Sequence, residues 1–522
     1  MTTPRPNFLF IMADQLSAQA LPSYGHPIVK APHIDALARD GVLFENAYCN
    51  FPFCAPSRIA MLSGQLPSRI GAFDNAAEMS SSIPTILHYL RAQGYHTSLS
   101  GKMHFIGPDQ LHGYEERLTT DIYPADFATT PDWSIKGLPV SGISFRGVVE
   151  AGICHRNLQI DFDEDVHHEG IRKLYALART RPQRPFMLTV SYTHPHNPFN
   201  TTQAYWNRYD HDAIDPPTVP AIALDDRDPH SRRHYYLTRM DEYDVTAERI
   251  RTARHAYYGM VSYFDDKVGE LLSVLDDTGL AENTVVVLTA DHGEMLGERG
   301  MWFKMCLFER AMRVPLILRL PPALRKPRRV ARNVSHLDLL PTLLDLASGG
   351  KPQPLVEPID GQSLAPLLEH GGDVPERDVF AEYTAEGAIA PCFMVRSGRH
   401  KYIWSEPDGG QLFDLVRDPH EIDDLAGKAS AAELEESMLR KVHARWNVAA
   451  VERDVLKSQR RRLFLQPVLT FANSHGWDYQ PFRDASLEYV RGKTATNAKA
   501  LSRIPYAEPV EPDHPRASTA ND

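Results

Sequence analysis

The sequence predicts an α/β protein: a large, mostly parallel central sheet flanked by helices, with a smaller C-terminal α+β domain and an extended tail. Three observations carry this reading. Apolar runs of strand length alternate with amphipathic stretches of helical period. The runs are almost continuously apolar, as in strands covered on both faces. After about residue 375 short segments joined by turns replace them. The expected organisation is a main α/β domain over 1–375, a small α+β domain with an antiparallel sheet over 376–450, and a tail over 451–522.

Each element has its own signal. Phe8–Ala13 is an apolar strand bounded by polar residues. The helix over Ile34–Asp40 is expected to close on Gly41 as a C′ glycine. In the stretch Cys54-Ala-Pro56-Ser-Arg58, proline is expected to open a helix whose N-terminus attracts anions, with the Arg58 fork one turn in. Ile83, Ile86, Leu87 and Leu90 repeat at helical spacing and stop at Gly94. The strand Tyr95–Ser100 runs into Gly101-Lys102-Met103-His104, and residues 107–165 read as long connections. A helix near 169–179 precedes the strand Phe186–Tyr192, which ends in Thr193-His194-Pro195-His196. A long helix over 248–278 presents Val261, Phe264, Val268, Leu271, Leu272 and Leu275 on one face. The β-branched strand Thr284–Thr289 leads into Ala290-Asp291-His292. Val314–Arg319 is a strand, followed by a helix from His336 to Ala347. In the small domain, Cys392–Arg396, Lys401–Trp404 and Gln411–Leu415 are antiparallel strands. Ser430 and Glu433 form a capping-box pattern for a helix carrying Leu434, Met438, Val442 and Trp446.

The chain has 522 residues, ample for a large core, and a formal net charge of −11. That charge argues against a nucleic-acid or anionic-membrane surface, so an anionic substrate needs a local cationic pocket. The five cysteines (Cys49, Cys54, Cys154, Cys306, Cys392) are scattered and lack CxxC spacing, which fits a reducing compartment. The run Phe8–Ala13 is too short for a signal peptide, and no run approaches the ~18 apolar residues of a membrane span. A cytoplasmic location is expected.

Four candidate strands end in polar groups: Asp14-Gln15, then Lys102 and His104, then His194 and His196, then Asp291-His292. Open parallel sheets bind ligands at their carboxyl ends, so these residues meet at one rim if their strands are neighbours. Singly, each is more often a helix cap or a satisfied rim residue. Their joint occurrence with Cys54 and Arg58 is what points to chemistry.

Cys54-Ala-Pro56-Ser-Arg58 with Leu62-Ser63-Gly64 resembles the signature of formylglycine-dependent (type I) sulfatases of the alkaline phosphatase superfamily. Gly101–His104, Pro195–Pro198, Thr289–Gly293, Leu339–Asp345, Leu412–Leu415 and Asp418–Glu421 occur in the order found in that family. Gln65–Arg69, Asp74–Glu78, Gly107–Gly113, Leu118–Phe127, Trp477–Pro481 and Arg483–Ser486 are similar to blocks of its choline sulfatase branch. The resemblance implies an alkaline phosphatase-like fold and oxidation of Cys54 to formylglycine by a maturase. It also implies one divalent metal held by Asp14, Gln15, Asp291, His292 and an oxygen of residue 54. Calcium is the first choice, and the imidazole brings Mn²⁺ into contention.

The family mechanism implies that one hydroxyl of a hydrated aldehyde at position 54 attacks sulfur. His196 and Lys304 are the matched donors to the leaving alcohol. Arg58, Lys102 and the metal neutralise the transferring oxygens, and His104 accepts a proton from the second hydroxyl so that sulfate is expelled. The expected reaction is hydrolysis of a small organic sulfate monoester, with choline-O-sulfate as leading substrate and Asn75 and Glu386 on the substrate side. Tyr123, Trp133, Phe145 and Trp477 are the aromatic candidates for an ammonium cage. Phosphonate monoester or phosphodiester hydrolysis, an arylsulfatase, and a non-catalytic anion binder with unmodified Cys54 stay open. A homo-oligomer, dimer or tetramer, is expected from the tail.

Overall fold

The computed structural model describes residues 5–135, 142–180, 184–349, 354–369 and 375–470, together with 510, 513 and 514. Its strands are β1 (Asn7–Ala13), β2 (Val42–Tyr48), β3 (His96–Gly101), β4 (Glu116–Arg117), β5 (Gly152–Ile153), β6 (Phe186–Ser191), β7 (Asn200–Thr201) and β8 (Thr284–Ala290). They continue as β9 (Arg313–Val314), β10 (Leu316–Arg319), β11 (Arg328–Ser335), β12 (Val379–Tyr383), β13 (Cys392–Ser397), β14 (His400–Ser405) and β15 (Gly409–Asp414). The main sheet runs β11-β2-β10-β8-β1-β6-β3-β4, with β9 also on β2. β1, β3, β6 and β8 are parallel neighbours, and every residue of β6 and β8 is buried. The continuous apolar pattern therefore has its expected cause.

The strand predicted over Val314–Arg319 departs from that scheme. Pro315 splits it into β9 and β10, and β10 lies antiparallel to both β8 and β2. Proline has no N–H for the ladder, which breaks the pairing there.

Several boundaries also move. The helix expected near 169–179 starts at Leu158, where Asn157 accepts from Ile160 N–H at 2.8 Å. Its first turns are mostly acidic and histidine-rich, so buried Phe162 and Val166 are easily overlooked. Gly41 is extended (φ −115°), not a left-handed cap; a Cβ there would lie 2.8 Å from Leu318 O. The helix expected at Pro56 begins at Cys54, so the nucleophile candidate occupies its first position. The 432–445 helix lacks the Ser430 cap, a 3-10 turn over Ala429–Ala431 leading into it instead.

The largest correction concerns the tail. Val448–Thr470 is a helix, not an extended segment, and it lays Val451, Val455, Gln459 and Arg462 against the body. Two of those four buried side chains are polar, so hydrophobic periodicity hides the face. The expected tail blocks around Trp477 and Arg483 lie outside the described residues.

The four antiparallel strands β12-β13-β14-β15 form the C-terminal sheet. Phe393, Val395 and Tyr402 pack with Met438, Val442 and Trp446 and with Leu66 and Phe73 of the main body. A buried ionic cluster also crosses between the two sheets' domains. Lys401 on β14 lies 3.0 Å from Glu309 and 2.8 Å from Glu421, and Tyr48 on β2 meets both Glu309 and Arg396. Removing one partner from such a cluster leaves buried charge uncompensated. Lys401→Met is therefore expected to destabilise the protein by about 3–5 kcal/mol in denaturant unfolding. A change under about 1 kcal/mol would mean that solvent reaches the cluster.

Candidate active site

Sheet register assembles the site. Ala13 pairs with Ala290, so Asp14 and Asp291 leave adjacent strands side by side. Gln15 N–H donates to Asp291 Oδ1 at 3.0 Å, Asp14 N–H to His194 O at 3.3 Å, and Lys102 N–H to Ser191 O at 3.0 Å. All four predicted strand ends thus meet at one rim. Close approach is built in at Gly101 (φ +108°), where a Cβ would stand 2.0 Å from Ser191 O.

The helix Cys54–Ser63 points its first turn at this rim, and all ten of its residues are buried. Cys54 Sγ lies 3.3 Å from His292 Nε2 and 3.9 Å from Asp14 Oδ1. Burial opposes ionisation of the thiol, but Lys102, Lys304 and His292, with His104 alongside, hold it well below the ordinary thiol range. Arg58 Nε donates to Asp291 Oδ2 at 2.8 Å, and Nη1 donates to Lys102 O and Ser191 Oγ. Arg58 Nη2 is buried without a hydrogen-bond acceptor. Lys102 Nζ donates to Asp14 Oδ2 and stands 4.2 Å over the Tyr123 ring.

Asp14, Cys54, Asp291 and His292 each offer a ligand atom within 4.8 Å of the others, and all four are buried. His292 Nδ1–H donates to Gly293 O at 3.0 Å, which turns Nε2 toward both carboxylates at 3.7 Å. Two carboxylates and an oriented imidazole fit a divalent cation. Gln15 borders this group: Oε1 accepts from Lys304 Nζ and keeps a second lone pair, and Nε2 donates to Glu294 and to Asn197 Oδ1.

His196 and Lys304 come together as expected, with Lys304 Nζ donating to His196 Nε2 at 2.7 Å. His196 Nδ1 donates to Asn197 O at 2.5 Å. His194 does not join them, because its Nδ1 pairs with Asp163 at 2.6 Å. His104 stacks on Tyr123 at 5.1 Å, and its Nδ1 is buried without a partner.

Tyr123 is one of the aromatic candidates for an ammonium cage. Its hydroxyl instead lies 3.1 Å from His196 Nδ1, so this ring braces Lys102, His104 and His196 together. Phe145 is likewise core, packed edge-on against Trp302. Two supporting residues escaped the sequence reading. Glu294 accepts from Leu296 N–H and Phe303 N–H as well as Gln15, and burial raises it to about 7. Its position three residues after Asp291 is the one available signal. Arg462 donates through both Nη atoms to Asp74 at 2.6 and 2.7 Å, across 388 residues of sequence. Nothing local announces that pair.

On the substrate side, Asn75 Oδ1 accepts from Ala55 N–H at 2.9 Å and so abuts the nucleophile turn. Glu386 is buried, with Oε2 lacking a hydrogen-bond partner. Burial and the nearby Asp74 charge raise it to about 8, against the pull of Lys304. Trp133 Nε1–H donates to Ala385 O at 3.4 Å, beside this carboxyl. Trp133 N–H donates to Gln459, and Thr130 accepts from Arg462, so the C-terminal helix fastens the adjoining loop.

A family profile described as Sulfatase matches residues 6–350. The chain belongs to the sulfatase family. Profiles described as N-sulphoglucosamine sulphohydrolase, C-terminal, and Choline sulfatase enzyme C terminal match residues 297–447 and 453–502 of this sulfatase. Choline-sulfatase of Rhizobium meliloti (strain 1021) is 43% identical over 502 residues, covering 94% of this chain and 96% of that one. Arylsulfatase K of Danio rerio is 30% identical over 448 residues, 81% of each chain. The crystal structure of phosphonate monoester hydrolase of Agrobacterium radiobacter superposes with a TM-score of 0.67 at 23% identity, covering 84% of this chain and 95% of that one; it shows the common alkaline phosphatase-like fold. The protein is a sulfuric ester hydrolase acting on a small sulfate monoester. Sulfatases of this family generally use formylglycine and a metal ion. No helix among the described residues is long and apolar enough to cross a membrane.

Proposed function

We propose that this sulfatase hydrolyses choline-O-sulfate to choline and sulfate. The observation that carries the choline assignment is Glu386, a buried carboxyl with an unpartnered oxygen at the site, matched by 43% identity to a choline-sulfatase. In this reading Cys54 is converted by a maturase to formylglycine, and Ca²⁺, with Mn²⁺ as the alternative, would be held by Asp14, Gln15, Asp291, His292 and an oxygen of residue 54. Formylglycine supplies a hydroxyl nucleophile, and the cation supplies charge neutralisation at the attacking and sulfate oxygens.

The chain's own groups do the rest. Arg58 Nη2 and Lys102 Nζ neutralise charge on the transferring oxygens. Lys304 Nζ, paired with His196 Nε2, holds a proton for the departing alcohol oxygen. His104 Nδ1 is the acceptor for the proton lost as residue 54 is regenerated. Asn75 fixes the nucleophile turn, and Glu386 with Trp133 receives the trimethylammonium group. We further propose three units (1–375, 376–450, and the region from 451), a cytoplasmic location and a homo-oligomer. The exposed Phe464 and Val468 on the C-terminal helix support the last.

Turnover of choline-O-sulfate beside a neutral aryl sulfate and a phenylphosphonate ester tests the assignment. A clear preference for the choline ester is expected; faster phosphonate turnover would overturn it. Glu386 adds a pH signature, because ionisation of its carboxyl strengthens cation binding as pH rises through about 8. The KM for choline-O-sulfate should therefore fall across that range while that for the aryl sulfate stays level. Glu386→Gln should raise the former about 10- to 30-fold and abolish its pH dependence.

A further inference from the structure

Between the C-terminal sheet and the main body lies a small cavity of about 40 Å³ lined by His230, Cys306, Tyr383, Cys392, Trp404 and Asp408. His230 lies in the first turn of the helix Pro229–Leu237, Cys392 opens β13, and Asp408 sits in the turn between β14 and β15. Each offers a ligand atom within 4.8 Å of the other two. The histidine is already oriented for coordination. Its Nε2 lies 2.7 Å from Met305 O, and a carbonyl only accepts, so Nε2 carries the proton. Nδ1 then holds the lone pair, and it is buried with no hydrogen-bond partner.

We propose that His230 Nδ1, Cys392 Sγ and an Asp408 oxygen form a second metal site, for a thiophilic divalent cation such as Zn²⁺. An imidazole fixed through its other nitrogen by a carbonyl is the usual outer support of a ligating histidine. Zinc bonds of about 2.0–2.3 Å place tetrahedral ligand atoms about 3.3–3.8 Å apart, so closing the triad requires about 1 Å of side-chain movement. Asp408 pairs with Arg233 through both oxygens, and each oxygen keeps a further lone pair. Burial pushes the Cys392 thiol up to about 12, so it is protonated before binding. The metal–sulfur bond forms as the S–H bond breaks and the proton passes to solvent; water completes the coordination. The site adjoins the catalytic loop, because His230 holds Met305 O while His234 holds Lys304 O at 2.9 Å. The proposal does not depend on which sulfate ester is the substrate.

Cd²⁺ titration of full-length protein carrying Cys54→Ala tests it, since that background removes the active-site thiol. One equivalent of cadmium–thiolate charge-transfer absorbance is expected, displaced by Zn²⁺. Adding Cys392→Ser should abolish the band, and adding His230→Gln should weaken Cd²⁺ at least tenfold. Absence of the band in the Cys54→Ala background overturns the proposal. So does persistence of the band in Cys392→Ser, or its loss in Cys306→Ser alone. If Cys392→Ser fails to fold, unchanged affinity in His230→Gln refutes it equally.

Discussion

Cys54→Ala is expected to lower kcat for any sulfate ester by at least about 10⁴-fold, as when an essential nucleophile is removed. The fold should survive. Cys54 is 2% exposed, but its structural partner is the backbone: Ala55 N–H, not the thiol, donates to Asn75. Losing one sulfur atom from a site lined by charged groups should lower stability by only about 1 kcal/mol. Unaltered circular dichroism and a nearly unaltered unfolding midpoint would accompany the loss of turnover. Retained turnover would remove Cys54 from the reaction, and unfolding would make it a structural residue. Cys54→Ser separates the roles further. A serine lacks the second hydroxyl that expels sulfate, so it should stall with a sulfated peptide visible by mass spectrometry.

Arg58→Met is expected to damage stability and rate together. Its guanidinium is fully buried, holds Asp291 at 2.8 Å and reaches within 3.9 Å of Asp14. Removing it leaves two buried carboxylates facing Lys102 and His292 alone, which should cost about 3–5 kcal/mol. The rate should fall about 10²- to 10³-fold for loss of a transition-state donor. Burial opposes ionisation of Asp291, yet Arg58 and His292 hold its carboxyl below the usual range. A depressed native pKa gives stability that is present above the unfolded value of about 3.9 and lost as pH falls through the native one. Chelator-treated Arg58→Met should thus begin acid unfolding at higher pH than the parent. Added Ca²⁺ should restore part of the lost stability, since both carboxylates regain a cation. An unchanged acid-unfolding profile would show that Arg58 does not set the charge state of Asp291.

The rim could be anticipated because its residues follow strands whose identity is local. An uninterrupted apolar run such as Thr284–Ala290 has to be buried on both faces, and a polar Asp-His after it has to lie at the sheet's edge. Tyr123 shows where that logic stops. An aromatic in a loop carries no period, so its contact with His196 depends on how the loop folds back. The C-terminal helix is hidden for a related reason, its buried stripe including Gln459 and Arg462. Arg462 Nε finds Ser458 one turn away, but the partners that seat these groups on the body, Trp133 and Asp74, lie more than 300 residues away.

By itself the sequence determined the α/β class, the nucleophile helix, the strand ends that carry Asp14, Lys102, His196 and Asp291, and the kinship of the chain. These depend on periodicity and on contiguous motifs, which are properties of neighbouring residues. Tertiary structure alone decided that β8, β1, β6 and β3 are adjacent, so that those strand ends become one site. It also decided that Arg462 pairs with Asp74 next to Glu386, and that His230 and Cys392 face each other across a domain boundary. Strand order and long-range ion pairs are fixed by burial energy summed over the whole chain, and no local stretch of sequence encodes that sum.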